Sequence, residues 1–281
     1  MLFEENGLVA SEALKKIHKF EESENKKVIY ASTIGSLSKL ISRPNSDYDL
    51  RGIFVGNDFS PLNKDDLHNE DLIRFRIFDK DNTCNCIALW EAHAFLNFIF
   101  EPYIDSGYQY KLIKNVLWSF NSPFNYDPFG IQNSLLPLIK KCISLEKEYL
   151  FQLNEINILS EKIQKIFNER SILEIIHGNL YIYWLCLYKE LPPLSSYSLL
   201  NILKNEDKLE MEEIIKRLKK CKFESTVEKN SLIKKIISLS NINMLKCRKL
   251  LDESPFDDNK INLKIDDLIY VLINHLPNKN Y

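Results

Sequence analysis

The order of elements predicts an α+β protein, with a sheet-containing N-terminal domain over residues 1–125 and a helical domain over residues 126–281. Short apolar and β-branched runs bounded by turn residues crowd the first part of the chain. From about Leu135 onward, apolar residues instead recur at helical spacing. Between the two, residues 121–132 contain Pro123, Pro128 and Gly130, the punctuation of a boundary.

Taken in order, Leu8, Ala13, Leu14, Ile17 and Phe20 follow a helical spacing, and charges fill many of the other positions, so residues 8–20 read as an amphipathic helix. A polar break at 21–27 leads into Val28-Ile29-Tyr30-Ala31-Ser32, a short buried strand. Gly35-Ser36 ends that strand, residues 37–41 suit a short helix, and Pro44-Asn45-Ser46 is loop chemistry. Tyr48 to Val55 is a second strand. The charge-rich stretch 57–71, with Pro61 inside it, reads as an exposed and mobile excursion. A third strand over 72–78 sends Arg74 and Arg76 the same way. Residues 79–82 then turn, a return strand covers 84–87, and residues 88–100 are expected to be helical. Further helices are expected at 135–153, 156–167, 172–188, 197–203, 209–218, 231–251 and 265–276, with Pro192-Pro193 separating two of them. No fixed repeat period is visible, which argues against a solenoid.

With 281 residues, 45% of them apolar and 27% charged, the chain can build a core without staples. A net charge of -2 supplies no global basic field for nucleic acid, leaving only a local groove for such a partner. The six cysteines, at 84, 86, 142, 186, 221 and 247, include no C-x-x-C pair, so structural zinc has little support. Free thiols suit a reducing compartment. No apolar run reaches spanning length, and the first residues have no signal-peptide core. A cytoplasmic protein without a membrane partner is expected.

One stretch carries chemistry. The first strand ends in Gly35-Ser36, and Ser46-Asp47-Tyr48-Asp49-Leu50 follows after a gap. Glycine lets a phosphate approach the backbone closely. A helix starting there offers its free N–H groups and its dipole to an anion. Asp-x-Asp on a strand sends two carboxylates to one side, because side chains alternate with period two. Two converging carboxylates repel; Mg²⁺ or Mn²⁺ relieves that repulsion and keeps positions open for phosphate oxygens. The corner then holds the β- and γ-phosphates, and the acids present metal to the α-phosphorus for in-line attack. Ser-Asp-Tyr-Asp alone is a common turn; the signal lies in its strand–turn–helix–loop–strand setting.

Gly35-Ser36 followed by Asp47-x-Asp49 resembles the signature of the DNA polymerase β-type nucleotidyltransferase superfamily. The flanking text from Asn45 to Val55 is similar to the RNA-repair-associated branch of predicted nucleotidyltransferases. A softer match joins residues 181–191, Pro192-Pro193-Leu194 and Leu199-Leu200 to the helix, proline pair and helix of that branch's C-terminal region, so the likeness spans about residues 25–205. It implies a mixed-sheet palm followed by a helical domain, with Asp47 and Asp49 as catalytic metal ligands and Gly35 and Ser36 at the triphosphate. The implied activity is Mg²⁺-dependent transfer of a nucleoside monophosphate from a nucleoside triphosphate to a hydroxyl, with pyrophosphate released. RNA ends, small molecules and protein side chains are all open as acceptors.

Such enzymes usually carry a third carboxylate on a later strand, which by chain order falls near Thr83-Cys84-Asn85-Cys86-Ile87, a stretch without an acid. Asp79 and Asp81 read as turn residues and Glu91 as the start of a helix. The run from His177 to Trp184, where the family often has Lys or Arg, is nearly uncharged. A second reading follows: a degenerate palm that binds nucleotide or a protein partner without turnover.

Arg51 follows the acid pair and reads either as a phosphate ligand or as a solvent-facing strand residue, and Arg74 with Arg76 as a nucleotide or nucleic-acid groove or an exposed edge. His93 and His177 on apolar helices read as satisfied imidazoles, and His68 as bystander. The clusters at Lys140-Lys141, 216–220 and 246–249 read as solvated helix faces diluted by Glu206, Glu210, Glu212 and Glu213. Tyr181, Tyr183, Trp184 and Tyr188 form an aromatic face suited to inter-helix packing.

Overall fold

A computed structural model of the chain describes residues 2–34, 39, 49–56, 72–80, 83–92, 95, 125–142, 144–193, 196–223 and 225–257, and the statements below concern these. The protein is α+β, with one mixed sheet and a larger helical complement. It divides into two compact units, each discontinuous in sequence. Met1–Ser38, Asn45–Cys142 and Ile261–Tyr281 make the first, and Lys39–Pro44 with Ile143–Lys260 make the second.

The first unit holds α1 (Leu2–Glu24), β1 (Lys26–Ile34), β2 (Asp49–Gly56), β3 (Leu72–Lys80), β4 (Thr83–Glu91), β5 (Asn125–Tyr126) and α2 (Ile131–Cys142). Ala13, Ile17 and Phe20 of α1 are spaced to share one face, and they are buried in a core with Val28, Leu50, Phe54, Ile87 and Leu89. Phe20 meets Phe54 edge-on with ring centroids 5.6 Å apart. Burial of Ile17 and Phe20 contributes roughly 1.5–3 kcal/mol each. Asn25 adopts a left-handed φ of 53° and turns the chain into β1, while the Glu21 carboxylate accepts the Val28 N–H at 3.0 Å.

The sheet runs in the order β3-β4-β2-β1-β5. β1 is antiparallel to β2, β2 is parallel to β4, and β3 and β4 pair antiparallel; β5 adds a two-residue bridge at Ala31 and Ser32. A bulge between Val28 and Tyr30 shifts the phase of β1, so Val28 and Ala31 enter the same core although they are an odd number of positions apart.

Two expectations need correction here. Ala88 to Glu91 belong to β4 and not to a helix. This segment is paired on both sides, with Arg51–Phe54 of β2 and with the start of β3, and Ala88, Leu89 and Trp90 are buried. Sheet pairing overrides the local pattern. β3 likewise continues through Asp79 and Lys80, which the sequence assigns to a turn. The expected helix at 37–41, apart from Lys39, the expected helix at 265–276 and the excursion at 57–71 lie outside the described residues. At the start of α2, the two carboxylate oxygens of Asp127 accept the Ile131 and Gln132 N–H groups at 2.7 and 2.9 Å.

The second unit holds α3 (Leu145–Lys165), α4 (Glu169–Tyr188), α5 (Ser196–Leu199), a 3₁₀ turn (Leu200–Ile202), α6 (Asn205–Lys219) and α7 (Thr226–Glu253). Ser144, Asn168 and Ser225 cap α3, α4 and α7 by accepting an N–H three residues on. The Ser144 cap corrects the expected break between 153 and 156. The chain interrupts its helix at Ser144 and then runs unbroken through Gln152 and Ile156, both buried on one face. Gly178 of α4 lets that face come close, since a Cβ there would lie 2.9 Å from Ile156 Cγ1. Tyr149, buried beside the Cys186 and Cys247 thiols that hydrogen-bond to each other, has its phenol pushed up to about 12, first by burial and then by those thiols.

Gly178→Val will destabilise the protein by roughly 1–3 kcal/mol through overpacking, read as a lower midpoint in urea denaturation. For Tyr149 the raised folded value means that its contribution to stability is complete below pH 10 and is lost as pH rises towards 12. The melting temperature of the wild type will therefore fall across that alkaline window more steeply than that of Tyr149→Phe.

Candidate functional site

Asp49 opens β2, and its partner across the sheet is Ile34, the last residue of β1. Gly35, Ser36 and Asp47 lie outside the described residues. The Asp49 side chain is 32% exposed and its Oδ1 lies 3.8 Å from the Arg51 guanidinium, which also donates to the Leu50 carbonyl at 2.9 Å. That separation is longer than a hydrogen bond, and both side chains are partly buried.

The registers assemble two adjacent rows on one face of the sheet. Ile34, Asp49, Cys86 and Arg76 form the first; Asn125, Ser32, Arg51, Ala88 and Arg74 form the second. Arg74 and Arg76 thus take register positions in the rows of Arg51 and Asp49, while Leu50, Phe54, Ile87 and Leu89 occupy the face packed on α1. The Arg-x-Arg spacing showed that Arg74 and Arg76 belong together. Their alignment with Arg51 depends on strand order, which no local pattern encodes.

The same registers locate the acids. The position beside Asp49 on β4 is Cys86. Glu91 pairs with Phe54, five residues along both strands, so it sits on the opposite face and about 17 Å away. Glu91 is fully buried, in a strand and not at a helix start. Asp79 pairs with Cys84 on β3, two strands from β2. Among the described residues no group of three His, Cys, Asp or Glu side chains converges as a metal site.

The remaining candidates are structural. His177 is buried, with Nδ1 2.8 Å from Ser196 Oγ and its ring 6.1 Å from that of Tyr181. His68 and His93 lie outside the described residues. Arg217 pairs with Glu228, and Lys140, Lys216, Lys246 and Lys249 are exposed. Tyr181 is buried and Trp184 packs on Tyr188 with centroids 4.5 Å apart. Among the described residues no helix is long and apolar enough to cross a membrane.

No protein-family model matches the chain, and a search of curated proteins finds no match to it. Asp49 stands at the end of the β1–β2 pair, partly exposed, with Arg51 two residues along the same strand.

Replacing Glu91 by Ala will cost at least about 2 kcal/mol in urea denaturation, because its burial removes polar partners from water. Arg51→Ala, at a partly exposed position whose ion pair is long, will cost less than Glu91→Ala, under about 1 kcal/mol. Equal costs would place Glu91 at a solvated site.

Proposed function

We propose that the sheet unit is a nucleotidyltransferase-type palm that moves a nucleoside monophosphate from ATP or another nucleoside triphosphate to a hydroxyl acceptor and releases pyrophosphate. The observation that carries this reading is the pairing of Ile34 with Asp49. The glycine corner follows one partner directly in sequence, and the Asp47-x-Asp49 pair ends on the other. A mixed sheet, here antiparallel between β1 and β2 and parallel between β2 and β4, is what the resemblance implies and supports the reading.

Asp47 and Asp49 would hold Mg²⁺ or Mn²⁺. The donor set suits a hard cation, being carboxylate oxygens of which those of Asp49 are partly open to solvent. When bound, the ion offsets charge that develops on the phosphate oxygens. Gly35 admits the triphosphate to the backbone, Ser36 donates hydrogen bonds to it, and Arg51 adds positive charge on the same face. The acceptor oxygen attacks the α-phosphorus in line; a new P–O bond forms, the bond to pyrophosphate breaks, and the hydroxyl proton leaves to solvent.

One observation favours a second reading, a palm that binds nucleotide or a protein without turnover. The register places Cys86 beside Asp49 where a third acid would complete the site, and Glu91 is on the other face. Pyrophosphate release separates the two. With Mg²⁺, an NTP and a pool of RNA ends, small-molecule hydroxyls and proteins, release is expected, and Asp47→Ala or Asp49→Ala will lower it by at least about 100-fold while leaving a folded protein. A metal-dependent rise in melting temperature with NTP but no release from any acceptor would establish the binding-only reading. Activity that survives both substitutions would move the site elsewhere.

A further inference from the structure

Cys186 of α4 and Cys247 of α7 meet inside the second unit, both buried, with their thiols hydrogen-bonded to each other. Two packed helices thus present sulfur to sulfur, in a place that has no role in the chemistry proposed for the sheet unit. A core that needed only to be filled would carry no charge here. Instead Lys189, which caps α4, brings an ammonium group to bear on both thiols. Its Nζ is buried, has no hydrogen-bond partner among the described residues, and sits 4.9 Å from the centre of the Phe256 ring. Its φ of 54° is in the left-handed region, where glycine is the less strained residue. A buried ammonium without an acceptor is unfavourable, and an anion beside it offsets that cost. Cys186 can supply the anion. The Cys247 S–H, donating to the Cys186 sulfur, holds the Cys186 thiol below its ordinary value against the opposing effect of burial, and the Lys189 charge pulls the same way. Cys247, bound in that hydrogen bond and itself buried, is pushed up. The two thiols are therefore unlike: one is readied as thiolate, the other keeps its proton.

We propose that Cys186 and Cys247 are a peroxide-sensitive dithiol, with Cys186 as nucleophile, Cys247 as resolving thiol and Lys189 as positioning residue, and that oxidation closes a disulfide between α4 and α7. The Cys186 thiolate attacks one oxygen of hydrogen peroxide; the O–O bond breaks, and the departing hydroxide takes up the proton that Cys186 had released and leaves as water. Cys186 is then a sulfenic acid. The Cys247 sulfur attacks it, the S–O bond breaks, and the hydroxide leaves as water with the Cys247 proton. Two thiols are oxidised to one disulfide, and one peroxide is reduced to two waters. Burial selects the oxidant. Cys186 is 1% exposed and Cys247 0%, which excludes a bulky disulfide such as oxidised glutathione, whereas hydrogen peroxide is little larger than water. Phe256, in the short segment after α7 whose neighbours are exposed, closes the site over Lys189 and Tyr149, its ring 6.0 Å from that of Tyr149. The proposal does not depend on what the sheet unit catalyses.

Peptide mass mapping of the full chain tests it. The reduced, folded protein is treated with a small excess of hydrogen peroxide, alkylated in denaturant and digested. A peptide pair joined through Cys186 and Cys247 and lighter by two hydrogens is expected, and dithiothreitol will restore both thiols. Cys247→Ser will stop at a sulfenic acid on Cys186, trapped by dimedone, and Cys186→Ser will leave Cys247 unmodified. Lys189→Gln will slow closure about tenfold and move its pH midpoint upward, while Lys189→Arg will keep the wild-type rate and midpoint. A lysine that only supports the fold would leave the midpoint where it is. Cys84, Cys86, Cys142 and Cys221 serve as internal controls. Oxidation that falls on those four while Cys186 and Cys247 stay reduced overturns the proposal. So does a Cys186–Cys247 bond that forms only in urea, an adduct of oxidised glutathione on Cys186 in the folded protein, or a midpoint unmoved in Lys189→Gln.

Discussion

The structure rests on the alternation of side chains along β2 and β4. Leu50 and Phe54 on one strand, and Ile87 and Leu89 on the other, are committed to the core beneath α1. Period two then forces Asp49, Arg51, Cys86 and Ala88 to the opposite face. A one-residue slip would expose the apolar set and bury an acid and an arginine, so the hydrophobic core selects the face on which chemistry is possible. Gly52 reinforces the register, because a Cβ there would lie 2.5 Å from the Tyr30 carbonyl oxygen. β1 and β2 approach closely at that point, three residues from Asp49.

What the sequence made legible was whatever local periodicity encodes. The buried face of α1, the strand character of 28–32, 48–55 and 72–78, and the helical second part all follow from spacing. The tail of β4 did not, since Ala88-Leu89-Trp90-Glu91 has no alternation to read and owes its conformation to neighbours on both sides. The bulge at Ile29 and the Ser144 break are similar cases. Each is a one-residue decision settled by tertiary fit or by a cap that competes with nearby alternatives.

The site divides along the same line. The relation of Asp49 to Arg51 is an i, i+2 relation and is visible in the chain itself. The rows that bring Arg74 and Arg76 alongside, and the placing of Glu91 on the far face, require a strand order and a register that join residues as distant in sequence as Asp49 and Cys86. Tyr149, Cys186 and Cys247 show the opposite extreme: titratable groups whose surroundings are wholly tertiary.

The discontinuity of the two compact units has a consequence for biosynthesis. The chain passes between them four times, leaving the first unit after Ser38, returning at Asn45, leaving again after Cys142 and returning at Ile261. The first unit is complete only once Ile261–Tyr281 has emerged, whereas the second closes at Lys260. A single proteolytic nick between Cys142 and Ile143 still leaves three covalent connections between the two units, at Ser38–Lys39, Pro44–Asn45 and Lys260–Ile261.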